Sequence, residues 1–173
     1  MLTAFPPIIG LDPTVLVLGS MPSKRSLGEQ EYYAHPQNSF WWIMSRLFCF
    51  DAGLRYQQKT ELITISGVAI WDVLQHCERE GSLDASIKRE SEVSNDFVEF
   101  LSRNQKIKHV IFNGQAAYAI FRRHHPELAR SSELSTIVCP STSPANAKMS
   151  KQDKLVSWQQ AFERAGFDFA PTS

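Results

Sequence analysis

The chain has 173 residues, of which 43% are hydrophobic, and its 18 basic side chains balance its 18 acidic ones. This length allows one domain with a substantial core and is short for two, so we predict a single domain over residues 1–173. A formal net charge of zero argues against a protein that depends on bulk electrostatic attraction to nucleic acid, although a local basic rim stays possible.

Apolar runs of strand length alternate along the chain with segments of helical periodicity. The first strand, residues 14–18, is continuously apolar and ends at Gly19, as is typical of a buried parallel strand. Ser94 is predicted to cap one helix and Ser150 another, each side chain accepting from the backbone of the first turn. The predicted elements, in chain order, are strand 14–18, a helix from residue 39, strand 67–71, a helix after residue 94, strand 107–112, a helix through residues 116–121, strand 134–139 and a helix from 150 to 166.

This alternation predicts an α/β fold with three layers, α/β/α, around a central, mostly parallel four-stranded sheet. In such sheets the loops that follow the strands form the ligand site. Three of these loops are rich in small polar residues: the turn at Gly19, the pair Asn113-Gly114, and residues 140–146. We therefore expect the active site where these loops meet.

The cysteines and the apolar runs limit the kind of protein further. Cys49, Cys77 and Cys139 are isolated and odd in number, so they suggest neither a disulfide framework nor a metal site. No apolar run approaches the roughly 20 residues that cross a bilayer, and the first residues lack the pattern of a secretory signal. We expect a cytoplasmic protein without a membrane segment, metal or organic cofactor.

Two stretches carry the resemblance to a known family. The first is Gly-Ser-Met-Pro-Ser at 19–23, continued by Tyr-Tyr-Ala-His-Pro at 32–36 and by Asn38; the second is Pro-Ser-Thr-Ser-Pro-Ala-Asn at 140–146. These residues resemble the uracil-DNA glycosylase superfamily, and within it the hypoxanthine-removing branch, the DNA-deoxyinosine glycosylases. The resemblance implies a uracil-DNA glycosylase-like fold and hydrolysis of the bond between deoxyribose and a damaged base.

One departure from the wider superfamily affects the mechanism. Many members have Asp or Asn at the third position of the first motif, where it activates water, and here that position is Met21. A thioether can neither accept a proton nor polarise water usefully. In the hypoxanthine branch the resemblance implies that an asparagine further along, matching Asn38, is the catalytic residue.

The other candidate residues surround an extruded nucleotide. Tyr33 would stack on the base by its family position, with Tyr32 as the alternative. His35 could donate to the base or to a phosphate. The expected base-binding residues are Gly19, Ser20, Met21, Pro22, Tyr33, His35 and Asn113. The expected residues around the DNA phosphates are Ser23, Ser141, Thr142, Ser143, Asn146 and Lys148.

Each candidate also has a purely structural interpretation. Asn38 could be a helix N-cap or a turn residue just before Ser39, Tyr33 could pack in the core, and backbone hydrogen bonds could hold His35. Residues 141–146 could form a proline-bounded turn. Asp72 and Asp84 could be pocket carboxylates, but Asp72 is as easily a cap after a strand, so both stay outside the predicted catalytic set, with Asp72 the next candidate.

We predict a monomeric, monofunctional glycosylase that removes deaminated bases from double-stranded DNA, preferentially hypoxanthine, after the nucleotide is flipped out of the helix. The alternatives are a uracil- or mismatch-directed glycosylase and a non-catalytic module that binds lesions. A serine hydrolase using Ser20 or Ser141 is a poor alternative, since neither serine lies in a Gly-x-Ser-x-Gly elbow.

Overall fold

The computed structural model describes residues 1–170. Its strands are β1 (Leu2–Thr3), β2 (Val15–Gly19), β3 (Val68–Asp72), β4 (Leu74–Cys77), β5 (Val93–Ser94), β6 (His109–Asn113) and β7 (Ser135–Cys139). Its α-helices are α1 (Lys24–Glu29), α2 (Phe40–Leu47), α3 (Tyr56–Ile65), α4 (Phe97–Arg103), α5 (Gln115–His124), α6 (Pro126–Arg130) and α7 (Lys151–Arg164).

The main sheet has the strand order β3-β2-β6-β7, and every neighbouring pair is parallel. The register aligns Gly19 with Asp72 and Asn113 with Cys139, so the carboxyl ends of all four strands reach the same edge. The predicted fold class is confirmed, and all four predicted strands are present within one or two residues of their expected positions.

Helices cover both faces of this sheet, which explains why its central strand β2 is apolar over Val15–Leu18. Every residue of β2 is buried. Val15 and Val17 pack in one apolar cluster with α2 and α7, whereas Leu16 and Leu18 pack in a second cluster with α4 and α5. A strand buried on both sides needs an apolar residue at each position rather than at alternate ones.

Some elements were not predicted from the sequence. A second sheet, with the order β1-β4-β5, is antiparallel and packs beside the end of β3. Helix α3 buries only Ile63, so its residues show little helical periodicity. The prediction that Ser94 caps α4 is wrong: Asp96 accepts the backbone N–H of Glu99, and Ser94 is the last residue of β5.

The remaining helix boundaries agree with the sequence patterns. Ser150 caps α7 by accepting from the N–H of Asp153, as predicted. Within residues 1–170, no helix combines the length and apolar character needed to span a membrane. The single domain and the monomeric state stay predictions.

Candidate active site

A cavity opens at the carboxyl edge of the main sheet, between the ends of β2 and β6. The chain leaves β2 toward β3 on one side, and leaves β6 toward β7 on the other. This reversal of direction is the switch point where open parallel sheets bind ligands. The cavity is lined by Gly19, Ser20, Met21, Pro22, Ser23, Ser26, Tyr32, Tyr33, Asn38, Asp72, Ser82, Asp84, Asn113, Ser141, Thr142 and Ser143.

The turn after β2 is held in place by two charged groups from the segment after β4, the buried Arg79 and the half-buried Asp84. The guanidinium of Arg79, only 7% exposed, donates to the backbone carbonyls of Met21 and Pro22. Ser20 donates its hydroxyl proton to the carboxylate of Asp84. These bonds fix the backbone of the first motif and leave the lone pairs of the Ser20 hydroxyl for other partners.

Asp72 is the most unusual group in the lining. Its side chain lies under Gly19, close enough that a Cβ built on Gly19 would be 2.5 Å from Oδ1. The residue is 3% exposed, and Oδ2 has no hydrogen-bond partner within the described chain. Burial and the nearby Asp84 carboxyl both raise the pKa of Asp72, whereas the Arg79 guanidinium lowers it. The net effect is a pKa of about 8. The carboxyl group is therefore mostly protonated at neutral pH.

Tyr33 lies beside Asp72 in a backbone conformation that L-residues seldom adopt, with φ of 56°. One face of its ring stacks on Phe40, with 4.0 Å between the ring centroids. Its hydroxyl is buried without a hydrogen-bond partner among residues 1–170. The aromatic ring therefore has at most one face left for a ligand.

Asn38 faces the cavity and also forms a turn immediately before α2, whose N-cap residue is Ser39. Its carboxamide oxygen accepts the backbone N–H of Phe40 at 3.0 Å, at the start of α2. This contact fixes the orientation of the side chain and uses one of the two lone pairs of the oxygen. The second lone pair and the amide N–H groups form no other hydrogen bond in the described chain.

The two sequence motifs are joined through Thr142. Its hydroxyl accepts from Asn113 Nδ2 at 2.9 Å, and its N–H donates to Asn113 Oδ1 at 2.9 Å. Its carbonyl accepts the N–H of Ser39 at 3.0 Å, which connects the loop after β7 to the start of α2. Thr142 therefore occupies the oxygen and one N–H of the Asn113 side chain, and the remaining N–H lies close to the Tyr33 hydroxyl.

The serines predicted to surround phosphates stabilise their own loops. Ser23 caps α1 by accepting from Ser26, and Ser141 accepts from the N–H of Ser143. Ser143 in turn accepts from the N–H of Ala145. These are the turn bonds of the structural interpretation, although the side chains still line the cavity.

Three predicted site residues lie outside the lining. His35 is half-buried and accepts the N–H of Gln37 through Nδ1. Asn146 donates to the carbonyl of Ser141 and lines a separate hollow beside Gly114. Lys148 is exposed on the loop that follows.

Sequence reasoning missed Arg79 and Ser82, and it left Asp72 and Asp84 outside the catalytic set. The signal for Asp72 was available, because it directly ends a buried strand whose neighbours also end at the site. Arg79, Ser82 and Asp84 lie in a polar stretch after β4, and nothing in that stretch indicates burial.

The comparisons with known proteins agree with this geometry. The family model described as "Uracil DNA glycosylase superfamily" matches residues 6–164. Two relatives are named "Hypoxanthine DNA glycosylase", and each is 31% identical to this chain. The one from Methanosarcina barkeri matches 92% of this chain and 97% of its own length. The one from Methanosarcina acetivorans matches 91% of this chain and 96% of its own length. A solution NMR structure from Methanosarcina acetivorans, described as a candidate uracil DNA glycosylase, is similar with a TM-score of 0.78 at 30% identity, covering 95% of this chain and 98% of that one.

Proposed function

Because the chain belongs to the uracil DNA glycosylase superfamily and is a DNA glycosylase, we propose that it removes deaminated bases from double-stranded DNA, preferring hypoxanthine. The observation that carries this proposal is the buried carboxyl group of Asp72 in a cavity at the switch point of the sheet, where its Oδ2 has no hydrogen-bond partner within residues 1–170 and burial raises its pKa to about 8. The two relatives named for hypoxanthine support the choice of base.

The glycosidic bond of a stacked nucleotide is inaccessible to such a cavity, so the nucleotide must rotate out of the duplex. Two tyrosines, Tyr32 and Tyr33, line the cavity. We assign the stacking to Tyr33, whose ring face away from Phe40 would contact the extruded base. Base–aromatic stacking of this kind is worth about 1–3 kcal/mol.

The Asp72 carboxyl group matches the edge that deamination creates. Hypoxanthine carries a donor, N1–H, beside an acceptor, O6. A protonated carboxyl group carries an acceptor and a donor side by side, so it can form both hydrogen bonds at once. An ionised carboxylate has only acceptors and would repel O6. Uracil presents the same arrangement, which is why it stays the alternative substrate.

Asn38 would position the water that attacks the sugar. The bond from Phe40 N–H holds its carboxamide in one orientation, and the remaining lone pair of the oxygen can accept from a water molecule. A carboxamide does not act as a strong base, so the rate enhancement must come from placing the water and from polar groups around the departing base.

The proposed enzyme is monofunctional. Strand cleavage by a bifunctional glycosylase needs an amine that forms a Schiff base with the sugar. Of the described residues that line the cavity, none is a lysine.

Incubation of the purified protein with an inosine-containing duplex, followed by alkali, tests the proposal. We expect cleavage at the lesion under single-turnover conditions, faster than at uracil in the same sequence context. A faster reaction at uracil would support the alternative substrate, and no product from inosine, xanthine or uracil would refute the proposed activity.

The role of Asp72 has a separate test in the pH dependence of the single-turnover rate. We expect the rate on inosine to fall as the pH rises through about 8, where Asp72 ionises. Asp72→Asn should retain activity and lose this alkaline decline, since a carboxamide also offers a donor and an acceptor at every pH. Asp72→Ala should react slowly at every pH. If the rate of Asp72→Asn still falls at alkaline pH as that of the wild type does, Asp72 does not have the assigned role.

A non-catalytic lesion binder is the second candidate, and Met21 favours it because the first motif lacks an acidic residue. This candidate predicts retention of inosine-containing duplex in a gel without release of the base. Measuring released hypoxanthine alongside retention separates the two functions.

A further inference from the structure

Lys154 is a buried lysine near the start of α7, next to the loop that follows β7. It is 5% exposed, although lysine is almost never buried without a partner of opposite charge. Its ammonium group donates to the backbone carbonyl of Ser143 at 3.4 Å. Burial lowers the pKa of this group, and no carboxylate among residues 1–170 offsets that effect. An unpaired buried charge destabilises the fold, so its presence here needs another explanation.

The loop after β7 does not depend on Lys154 for its conformation. The carbonyl of Ser143 also accepts the backbone N–H of Asn146, at 3.0 Å. Trp158, one turn further along α7, donates to the carbonyl of Pro140 at 3.0 Å and holds the start of the same loop against the helix. The longer bond from Lys154 therefore adds little to a loop that other donors already hold.

The charge of Lys154 matters because the described residues that line the cavity include no cation. Asp72 and Asp84 are the carboxylic acids of this lining, and the substrate is a polyanion. The buried guanidinium of Arg79 is bonded to the first motif, whereas Lys154 is bonded to a lining residue of the second. A charge shielded from water acts on a neighbouring charge more strongly than an exposed one does.

We propose that Lys154 is a positioning residue whose charge, from the α7 side of the loop, draws a DNA phosphate beside the extruded nucleotide onto the hydroxyl groups of Ser141 and Ser143. This inference rests on the proposed function. Both serines line the cavity, and both hydroxyl oxygens accept from backbone N–H groups, so each keeps its proton for a ligand. Because Lys154 acts through the loop and not at the DNA surface, it affects the reaction of the bound duplex more than the affinity for DNA.

The test measures the single-turnover rate at saturating protein on an inosine-containing duplex. Lys154→Met keeps an unbranched side chain and removes the charge, and we expect it to lose about tenfold in this rate. Its dissociation constant for an undamaged duplex should be nearly unchanged. Its Tm should equal or exceed that of the wild type, because a buried unpaired charge is removed. Lys154→Arg keeps the charge and should retain most of the rate.

A second substrate identifies the group on which the charge acts. Methylphosphonates replace the phosphates on either side of inosine and remove their charge. On this duplex we expect Lys154→Met and the wild type to react at nearly equal rates. If Lys154→Met loses the same factor on the natural and the neutral duplex, the charge does not act on a flanking phosphate and the proposal is wrong.

Lys59→Met is the matched control. Lys59, on α3, is half-buried, and burial lowers its pKa as well. Its ammonium group lies 5.3 Å from the centroid of the Trp41 ring and outside the cavity lining, so this variant should keep the wild-type rate on both duplexes.

Three results would overturn the role of Lys154: an unchanged rate in Lys154→Met, a loss of rate accompanied by a lower Tm, or an equal loss of rate in Lys59→Met. If the wild type releases no hypoxanthine from the natural duplex, the proposed function itself fails.

Discussion

Asp72 ends a strand in the middle of an apolar core, where an ionised carboxylate would lose most of its solvation. The neighbouring Asp84 carboxyl adds to the cost of ionisation, and the buried Arg79 guanidinium compensates only in part. Protonation removes the charge at neutral pH and leaves a neutral group that can both donate and accept. The same burial that makes this group unusual also links the stability of the fold to pH.

The first prediction is that Asp72→Asn reduces the pH dependence of stability. In the unfolded chain the pKa of Asp72 is near 3.9, whereas in the fold it is about 8. Between these values the folded protein binds more protons, so its free energy of unfolding decreases as the pH rises through this window. The free energy of unfolding of Asp72→Asn, relative to that of the wild type, should therefore rise by at least about 1 kcal/mol between pH 4 and pH 8. This corresponds to a rise of about 2–4 °C in the relative Tm.

Thermal unfolding at several pH values measures this difference. Glu61→Gln, on the exposed surface of α3, is the control because its carboxyl group remains in solvent in both states. A constant difference in Tm between Asp72→Asn and the wild type over this range would show that Asp72 ionises normally.

The second prediction concerns the close approach of Gly19 to Asp72. A methyl group at position 19 would lie 2.5 Å from Asp72 Oδ1 and 3.2 Å from the Tyr33 hydroxyl, so one of these side chains must move. We expect Gly19→Ala to destabilise the protein by about 1–3 kcal/mol.

Gly28→Ala, in α1, is the matched control. The added methyl group meets no atom within 4 Å, so this variant should be neutral or stabilising by up to about 1 kcal/mol. Denaturant unfolding of both variants compares them directly, and equal stabilities would contradict this packing.

The third prediction separates the structural role of Asn38 from its proposed catalytic role. Asn38→Ala removes the acceptor for Phe40 N–H and should cost about 0.5–2 kcal/mol of stability, besides slowing base release. Asn38→Asp keeps an acceptor there and should keep the Tm. Wild-type turnover by Asn38→Ala, measured well below its Tm, would assign the water to another group.

At the scale of elements, the loop after β7 is held by the ends of two other elements. Thr142 bonds to Asn113 at the end of β6 and to Ser39 at the start of α2. Thr142 is buried and satisfies polar groups at the end of β6 and at the start of α2, so it is a structural requirement of the site for any ligand. This role was not predicted from the sequence, because 29 residues separate Thr142 from Asn113.

The fourth prediction follows from these contacts. Thr142→Val keeps the shape of the side chain and removes the hydroxyl acceptor, so Asn113 Nδ2 loses its partner. We expect a loss of about 1–3 kcal/mol, and a slower reaction because the loop is less well ordered. Thr142→Ser retains the hydroxyl and should lose less. If Thr142→Val is as stable as Thr142→Ser, measured by urea unfolding, the hydrogen bond to Asn113 contributes little.

Elements with a strong pattern were predictable and elements with a weak one were not. Strand β2 is apolar at every position and α7 has a serine cap, so both were identified from local sequence. Strands of two residues, such as β1, have no period to detect. Ser94 and Asp96 are both good cap residues, and only the pairing of β5 with β4 decides between them.

At the scale of the whole molecule, the position of the site follows from topology. Parallel strands place the loops that follow them on one edge, so the sequence predicted that Gly19, Asn113 and residues 140–146 would meet there. The acidic and basic groups after β4 could not be placed in the same way, because that segment reaches the site through a second, antiparallel sheet. Its role becomes visible only when the tertiary contacts of Arg79 and Asp84 are known.

The charge of the whole chain leads to the fifth prediction, a shallow salt dependence of DNA binding. With a net charge of zero, we expect attraction to phosphates to come from a few exposed lysines that follow the two lining motifs in sequence: Lys24, Lys148 and Lys151. If three phosphates are neutralised, the slope of log K against log salt concentration should be about −3, and Lys148→Gln should reduce it by about 0.9. Lys106 is the control, because its ammonium group pairs with Asp12 near the opposite edge of the sheet. Lys106→Gln should leave the slope unchanged. Fluorescence anisotropy between about 50 and 200 mM salt measures these slopes, and a much steeper wild-type value would mean that DNA contacts a larger basic surface than this rim.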